Sequence, residues 1–433
     1  MARIGFIAHY ATGHLDPSMS LARSLEKQGH EPIFFSLPDT SIRITGAGLA
    51  FIPYGEAAYP AGSLRVKLQK AAELTGEAAH AYYIERTMSL FHAGFEELPL
   101  LLDKERLDLL VVDQAHYHGS TIAEHLKVPF VSLVNALPVN REDSVPPWNT
   151  LWPFETSEAA IERNRHGWAA FDRAYAPLLS LVNRQREFWD LPLHTNLQED
   201  SFSRLAQLCQ IPPSLEFPRA QASNTFHLVG PLRDEQLSRE VPFFWEWLDG
   251  RPLIYASCGT IQNRLENVFR MMIEACAPLK AQTIISLGGD ALSPALFGSV
   301  PPNIKVVPYA PQRLLIERAT LCINHAGLNT VLDSLEFGIP MVSIPIASDQ
   351  PGTAMRTKRL GAATVVPVAE LSAARLRLEI QSVLANSSYR EAAQAAAKEI
   401  AKLDPVAEAV RIIERVLSVG NNYERVDGGH SDS

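Results

Sequence analysis

The sequence predicts an α/β protein built as two parallel-sheet domains facing a cleft, and three observations carry that expectation. Short apolar runs of strand length alternate with helical patterns in both halves of the 433-residue chain, as in parallel sheets with crossover helices. The alternation breaks once, between Leu137 and Pro218, and a Gly230-Pro231 turn then leads into a linker-like stretch. The length suits two domains of about 200 residues each. The expected division is a first domain over 1–230, a linker over 231–242, a second domain over 243–417 and a polar, disorder-like tail over 418–433.

In the first half, Arg3 to Ala8 reads as a buried strand. Asp16 as N-cap and Pro17 in the first turn begin a helix that stops at Gly29. Pro32 to Ser36, Leu107 to Val112 with Asp113 at its end, and Pro129 to Val134 read as further strands. The stretch 137–218 is rich in Pro, Trp and Arg, which fits inserted helices lining a pocket better than sheet. In the second half the strand candidates are 253–256, 282–287, 305–307, 321–323 and 341–344, followed by Ala-rich helices to about residue 417. Open sheets of this kind bind ligands at the carboxyl ends of their strands.

A net charge of −9 argues against a nucleic-acid partner, because phosphate backbones require clustered Lys and Arg. Four scattered cysteines with no CxxC pair fit buried free thiols in a reducing compartment. The first residues, MARIGFIAHYATGHLD, hold too short an apolar run for a signal peptide, and no window approaches a membrane span. A cytoplasmic chain is expected, with peripheral membrane contact left open.

The densest signal runs from Tyr309 to Gln350: YAPQ, then NHAGLNTVLDSLEFGIP, then PIASDQPGTAMR. His325, Asn329 and Asp333 recur at i, i+4 and i+8, which on a helix stacks them along one face. They follow a short apolar strand and Gly327, a residue that lets backbone approach a ligand closely. A strand turning into a helix through glycine, with donors at the helix start, can hold phosphate without a metal. The segment therefore reads as a nucleotide-diphosphate pocket.

This segment resembles the nucleotide-sugar signature of the family 1 UDP-glycosyltransferases, inverting enzymes of the GT-B fold with two Rossmann-like domains. The resemblance is close over 309–352, and the rest of the chain is consistent with it. It implies Tyr309 against the uracil ring, the Ala310 backbone on its edge and Gln312 beside the ribose. It implies His325, Asn329 and Thr330 on the diphosphate, Asp333 on the ribose hydroxyls, and Asp349 and Gln350 on the hexose. Gly259-Thr260, in the SCGT loop, matches the family's second phosphate contact. Many members carry Trp at the Tyr309 position and Glu at the Asp333 position. Glu336 is the alternative ribose ligand. No cofactor is implied, only a UDP-sugar co-substrate.

GHLDP (13–17) lies between the first strand and its helix. The family pattern places the catalytic base at His14, oriented by an acid, here Asp113. The chemistry stands independently: a histidine near pKa 6.5 can take the proton of a poorly nucleophilic hydroxyl. A carboxylate on the other ring nitrogen fixes the tautomer and stabilises the imidazolium. The bland reading is that His14 caps the helix and Asp113 closes a strand. His9 reads as a supporting residue, and His116 with His118 as pocket lining without a third metal ligand. No DxD sequence occurs, so no metal site is expected.

Within the family, NALPVNREDSVPPWNTLWP (135–153) resembles bacterial carotenoid (zeaxanthin) glucosyltransferases. Trp148, Trp152, Trp168 and Trp189 in the insertion suit an apolar acceptor, terpenoid or phenolic such as a flavonoid. FFWEWL reads as interdomain packing, and RTKRLG (356–361) as a solvated helix face ending at Gly361. The competing functions are a nucleotide-sugar 2-epimerase of the same shape and a non-catalytic nucleotide-sugar-binding protein.

Overall fold

Runs of Ile, Leu, Val and Phe form two all-parallel sheets in the computed structural model, which describes the chain apart from residues 75, 221, 238–240, 261–263 and 428–433. The first sheet holds β1 (Arg3–Ile7), β2 (Glu31–Ser36), β3 (Ala50–Pro53), β4 (Leu109–Asp113), β5 (Phe130–Val134), β6 (Gln207–Cys209) and β7 (Phe226–Leu228). The second holds β8 (Leu253–Ser257), β9 (Gln282–Ser286), β10 (Ile304–Val307), β11 (Leu321–Asn324), β12 (Met341–Ser343) and β13 (Ala363–Val365). Their orders are 3-2-1-4-5-6-7 and 10-9-8-11-12-13. Helices cover both faces, so β4, β8 and β9 are buried along their whole length and read as unbroken apolar runs.

The strand order reverses between β1 and β4 in one sheet and between β8 and β11 in the other. Loops that part to opposite faces at such a point leave a crevice at the strands' carboxyl ends. Ile7 pairs in register with Val112, so the turn after β1 and Asp113 at the end of β4 emerge side by side.

Several expectations need correction. The first helix runs Thr12–Lys27, five residues earlier than Asp16 as N-cap would set it, from an extended Ala11 with no side-chain cap. Asp16 instead pairs with Arg43. Pro17 lies inside the helix and has no N–H to offer the carbonyl of Gly13. That carbonyl accepts from Asn329 Nδ2 of the second domain at 2.8 Å. The stop at Gly29 holds, with φ at 85°.

The strands β3, β6, β7 and β13 were not anticipated, because three or four residues give too little pattern and β3 is half exposed. The tail expected from residue 418 is helical to Asp427, in a helix over Pro405–Asp427, and 428–433 lie outside the described residues. Ala409, Val410, Ile412, Ile413 and Val416 of that helix pack with Ile4, Leu15 and Leu21, so residues grouped with the second domain complete the core of the first. Part of the expected linker, 238–240, lies outside the described residues.

RTKRLG is not a solvated face throughout. Arg356 is 1% exposed and donates to Glu216 Oε1 at 2.7 Å, with the Phe217 ring 4.2 Å from its guanidinium. Thr357 is buried too, and only the turn ending at Gly361 fits the expectation. Phe243, Phe244, Trp245 and Trp247 pack on the core shared between the second sheet and Val134, Leu137 and Val139, as FFWEWL suggested. The four cysteines are free and buried. No described helix is long and apolar enough to cross a membrane.

Candidate active site

A cleft of about 2160 Å³ runs between the two sheets, lined by both domains at the carboxyl ends of their strands. On the first-domain side the turn after β1 brings His14 to Asp113. His14 Nδ1 lies 2.9 Å from Asp113 Oδ2 and 3.1 Å from Oδ1. Asp113 is 2% exposed and also accepts from Asn135 Nδ2 at 2.9 Å and the Ala115 N–H at 2.9 Å. Asn135 reaches the His14 carbonyl and Ser18 Oγ as well, so one amide locks the acid to the helix bearing His14. Asn135 was missed, since nothing local marks an asparagine one residue past a strand.

Burial disfavours charge on both partners, but each stabilises the other's charge. Desolvation acts to lower the His14 pKa, yet the Asp113 contact and the nearby Asp349 carboxylate raise it above 6.5. Desolvation likewise opposes the Asp113 charge, and His14 nevertheless holds that carboxyl well below the usual range. With Nδ1 committed to Asp113, Nε2 is the ring nitrogen left for an acceptor hydroxyl.

His9 supports this pair: its ring lies 4.8 Å from that of His14, its Nδ1 accepts the Ala11 N–H, and burial keeps it neutral. His116 and His118 do not line the cleft as expected. They are 2% and 0% exposed beneath it, and burial pushes His116 down to about 4. Among the described residues no group of three His, Cys, Asp or Glu is placed to hold a metal.

On the opposite wall, Tyr309, Ala310, Gln312, His325, Gly327, Asn329, Thr330, Asp333, Asp349, Gln350 and Thr260 all line the cleft. His325 precedes the helix Leu328–Glu336, so only Asn329 and Asp333 share its face. Gly327 is its N-cap and no side chain caps the first turn, which leaves N–H groups facing the cleft. The glycine also makes room for a side chain. The His325 ring is wedged between Gly259 and Gly327, where a Cβ at either would lie 2.6 Å from its Cε1. Burial pushes His325 down to about 4, so it acts as a neutral hydrogen-bonding ring. Ala326 between them is held at φ 62° with its N–H on Asn324 Oδ1, a strained turn at the cleft wall.

The polar residues of this wall are already cross-linked. Asp333 accepts from Gln312 Nε2 and Arg313 Nη1, both at 2.8 Å, and lies 3.0 Å from Arg233 Nη2. Glu336 is engaged by Arg313 at 2.8 Å. Arg233 also donates to Asn329 Oδ1 and its carbonyl. Asp349 accepts the Leu137 N–H at 3.2 Å across the cleft, while Gln350 Oε1 takes the N–H groups of Ile346 and Ala347. Arg233 and Arg313 were missed because their carboxylate partners are distant in sequence or, for Glu336, offset from the expected donors.

Beyond His14 the cleft is walled by Tyr59, Tyr82, Tyr83, Tyr117 and Tyr175, mostly from the helices Gly76–Glu105 and Glu158–Phe188 and the segments beside them. Of the four expected tryptophans, Trp148 and Trp152 line it. Trp168 is core, its Nε1 donating to the Val145 carbonyl, and Trp189 stacks on His125. The Trp148 carbonyl accepts from the Gly352 N–H, which docks the aromatic loop on the helix after Asp349.

The chain and its fold resemble known proteins. Residues 270–416 match the family model described as Erythromycin biosynthesis protein CIII-like, C-terminal domain. The chain is 30% identical over 431 residues to a zeaxanthin glucosyltransferase of Pantoea ananas, covering 97% of each. It is 31% identical over 366 residues to a zeaxanthin glucosyltransferase of Pseudescherichia vulneris, covering 82% of this chain and 84% of the other. Among solved structures, the glycotransferase of kitacinnamycin superposes with a TM-score of 0.74 at 20% identity, covering 96% of this chain and 98% of that one. The calicheamicin glycosyltransferase superposes at 0.70 and 21% identity with the same coverage.

Proposed function

The chain belongs to the family 1 UDP-glycosyltransferases and is a glycosyltransferase of GT-B fold, and from that premise we propose that it moves a hexose, glucose in the first instance, from a UDP-sugar to a hydroxyl of a lipophilic acceptor by direct inversion. The observation that carries the reading is the His14–Asp113 pair at one strand reversal, facing His325 and the uncapped helix start at the other within one cleft. His14 Nε2 takes the acceptor proton as the hydroxyl oxygen attacks the anomeric carbon. Asp113 holds the tautomer and balances the imidazolium. The diphosphate leaves toward His325, Thr330 and the helix N–H groups, preorganised donors that meet its growing charge. This scheme requires no divalent ion, so EDTA is expected to leave activity intact; loss restored by Mn²⁺ would contradict it.

Both relatives above are named transferases, which favours transfer over epimerisation or binding alone. The acceptor in their names, together with the tyrosine- and tryptophan-lined end of the cleft, supports a carotenoid-like or other terpenoid alcohol. Each buried CH₂ contributes about 0.8 kcal/mol, so a long hydrocarbon needs few polar contacts. The test is kcat/KM for zeaxanthin-type diols, flavonols and small sugars with UDP-glucose in one detergent. The diols are expected to lead and to yield a β-glucoside. A tenfold preference for a hydrophilic sugar would remove the acceptor proposal, and a flavonol preference would keep the apolar site but not the carotenoid.

Asp349 is the proposed hexose ligand, at the mouth of the cleft and close enough to His14 to influence its charge. A hydrogen bond to a charged group is worth about 1.5–3 kcal/mol, about 10- to 150-fold in rate. Asp349→Ala is expected to lose that much kcat/KM for UDP-glucose while the Kd of free UDP stays near wild type. Equal losses in both would place Asp349 elsewhere.

A further inference from the structure

We infer that Arg233 is a further catalytic residue, the cation that meets the charge of the departing nucleoside diphosphate, and that it leaves Asp333 to do so when the donor binds. The inference rests on the donor reading proposed above. In the transfer, the bond from the anomeric carbon to the β-phosphate oxygen breaks and its electron pair stays on that oxygen. The acceptor proton goes to His14, so the diphosphate gains one negative charge as the new C–O bond forms.

The cleft has few cations to meet it. Among the described residues, the arginines lining it are Arg43, Arg86, Arg233 and Arg313, with no lysine. Arg43 is paired to Asp16, and Arg86 lies over the Tyr10 ring on the acceptor side. Arg313 is clamped by both oxygens of Glu336 and by Asp333. His325 is held neutral by its burial.

Arg233 differs from these. Its two Nη groups touch Asn329, the second residue of the uncapped helix, and Asp333 one turn on, while its Nε is buried with no hydrogen-bond partner. The guanidinium therefore lies within one helical turn of the N–H groups proposed to hold the diphosphate. Its neighbour Asp234 is anchored to Arg23 of the first domain at 2.9 Å, so the backbone is fixed on one domain and the side chain reaches the other. A diphosphate carries more charge than one shared carboxylate and accepts from the planar fork in the same way. Moving to it opens one acceptor site on Asp333 Oδ1 for a ribose hydroxyl, while Arg313 on that same oxygen still balances the carboxylate charge and Gln312 donates to Oδ2.

The experiment compares the wild-type chain with Arg233→Gln and Arg233→Lys, measuring Kd for uridine, UMP and UDP and kcat with UDP-glucose. For Arg233→Gln the expected loss grows with phosphate count, from within twofold for uridine to at least about tenfold for UDP, with kcat down at least about tenfold. Arg233→Lys is expected to recover part of both. A structural role would weaken uridine and UDP alike, and that result, or unchanged UDP affinity, overturns the inference alone. A wild-type protein that binds none of the three overturns the donor reading and this inference with it.

Discussion

His14→Ala is expected to lower transfer by at least about 10²-fold, the lower end of what loss of a general base costs, while UDP affinity stays near wild type. The imidazole belongs to the acceptor side and touches Asp113, not the wall that carries the donor signature. Its pH behaviour gives a second readout. Burial acts to lower its pKa, but Asp113 and Asp349 raise it above 6.5. The base must be neutral to accept a proton, so kcat/KM is expected to fall as pH drops through that raised value, with the acid limb above 6.5. Asp113→Asn removes the strongest raising influence, so the limb is expected to move to lower pH, with a smaller rate loss than His14→Ala. A variant lacking His14 that keeps a tenth of the wild-type rate would pass the role to His9, whose burial already keeps it neutral.

Glu216→Ala is expected to destabilise the protein by about 3–5 kcal/mol, the usual cost of breaking a buried ion pair from one side. The side chains of Arg356 and Glu216 are 1% and 3% exposed, and the pair joins the two domains. Removing the carboxylate leaves a guanidinium buried beside Phe217 and near Arg219, itself held only 3.6 Å from Glu216. Arg356 stands on the helix that begins at Gln350 with Asp349 as its N-cap, so loosening the pair is expected to disturb Asp349 as well. Urea unfolding measures the loss, and Glu216→Leu combined with Arg356→Leu is expected to recover much of it, since a matched apolar pair leaves no stranded charge. A loss below about 1 kcal/mol for Glu216→Ala would show that water reaches the pair, as it does at exposed bridges.

The long apolar strands, the two-sheet architecture and the run from Tyr309 to Gln350 were legible in the sequence. Each is a local pattern: a period, a strand-length apolar run, or fixed spacing within one strand–helix unit. The pairing of His14 with Asp113, 99 residues apart, was legible only through the resemblance, and the strand reversal between β1 and β4 is what realises it. Other features belong to tertiary structure alone. Asn135 gains its role because β5 lies next to β4. Gly327 serves the His325 ring, and Arg356 is buried only because Glu216 arrives from the other domain. The last helix follows the second domain in the chain and yet packs on the first, completing its core. Arg233 reaches Asp333 across 100 residues through the same interdomain packing. Local chain chemistry specifies which backbone forms and which faces are apolar. Which buried charge finds a partner depends on long-range docking, and that is written in no contiguous stretch of residues.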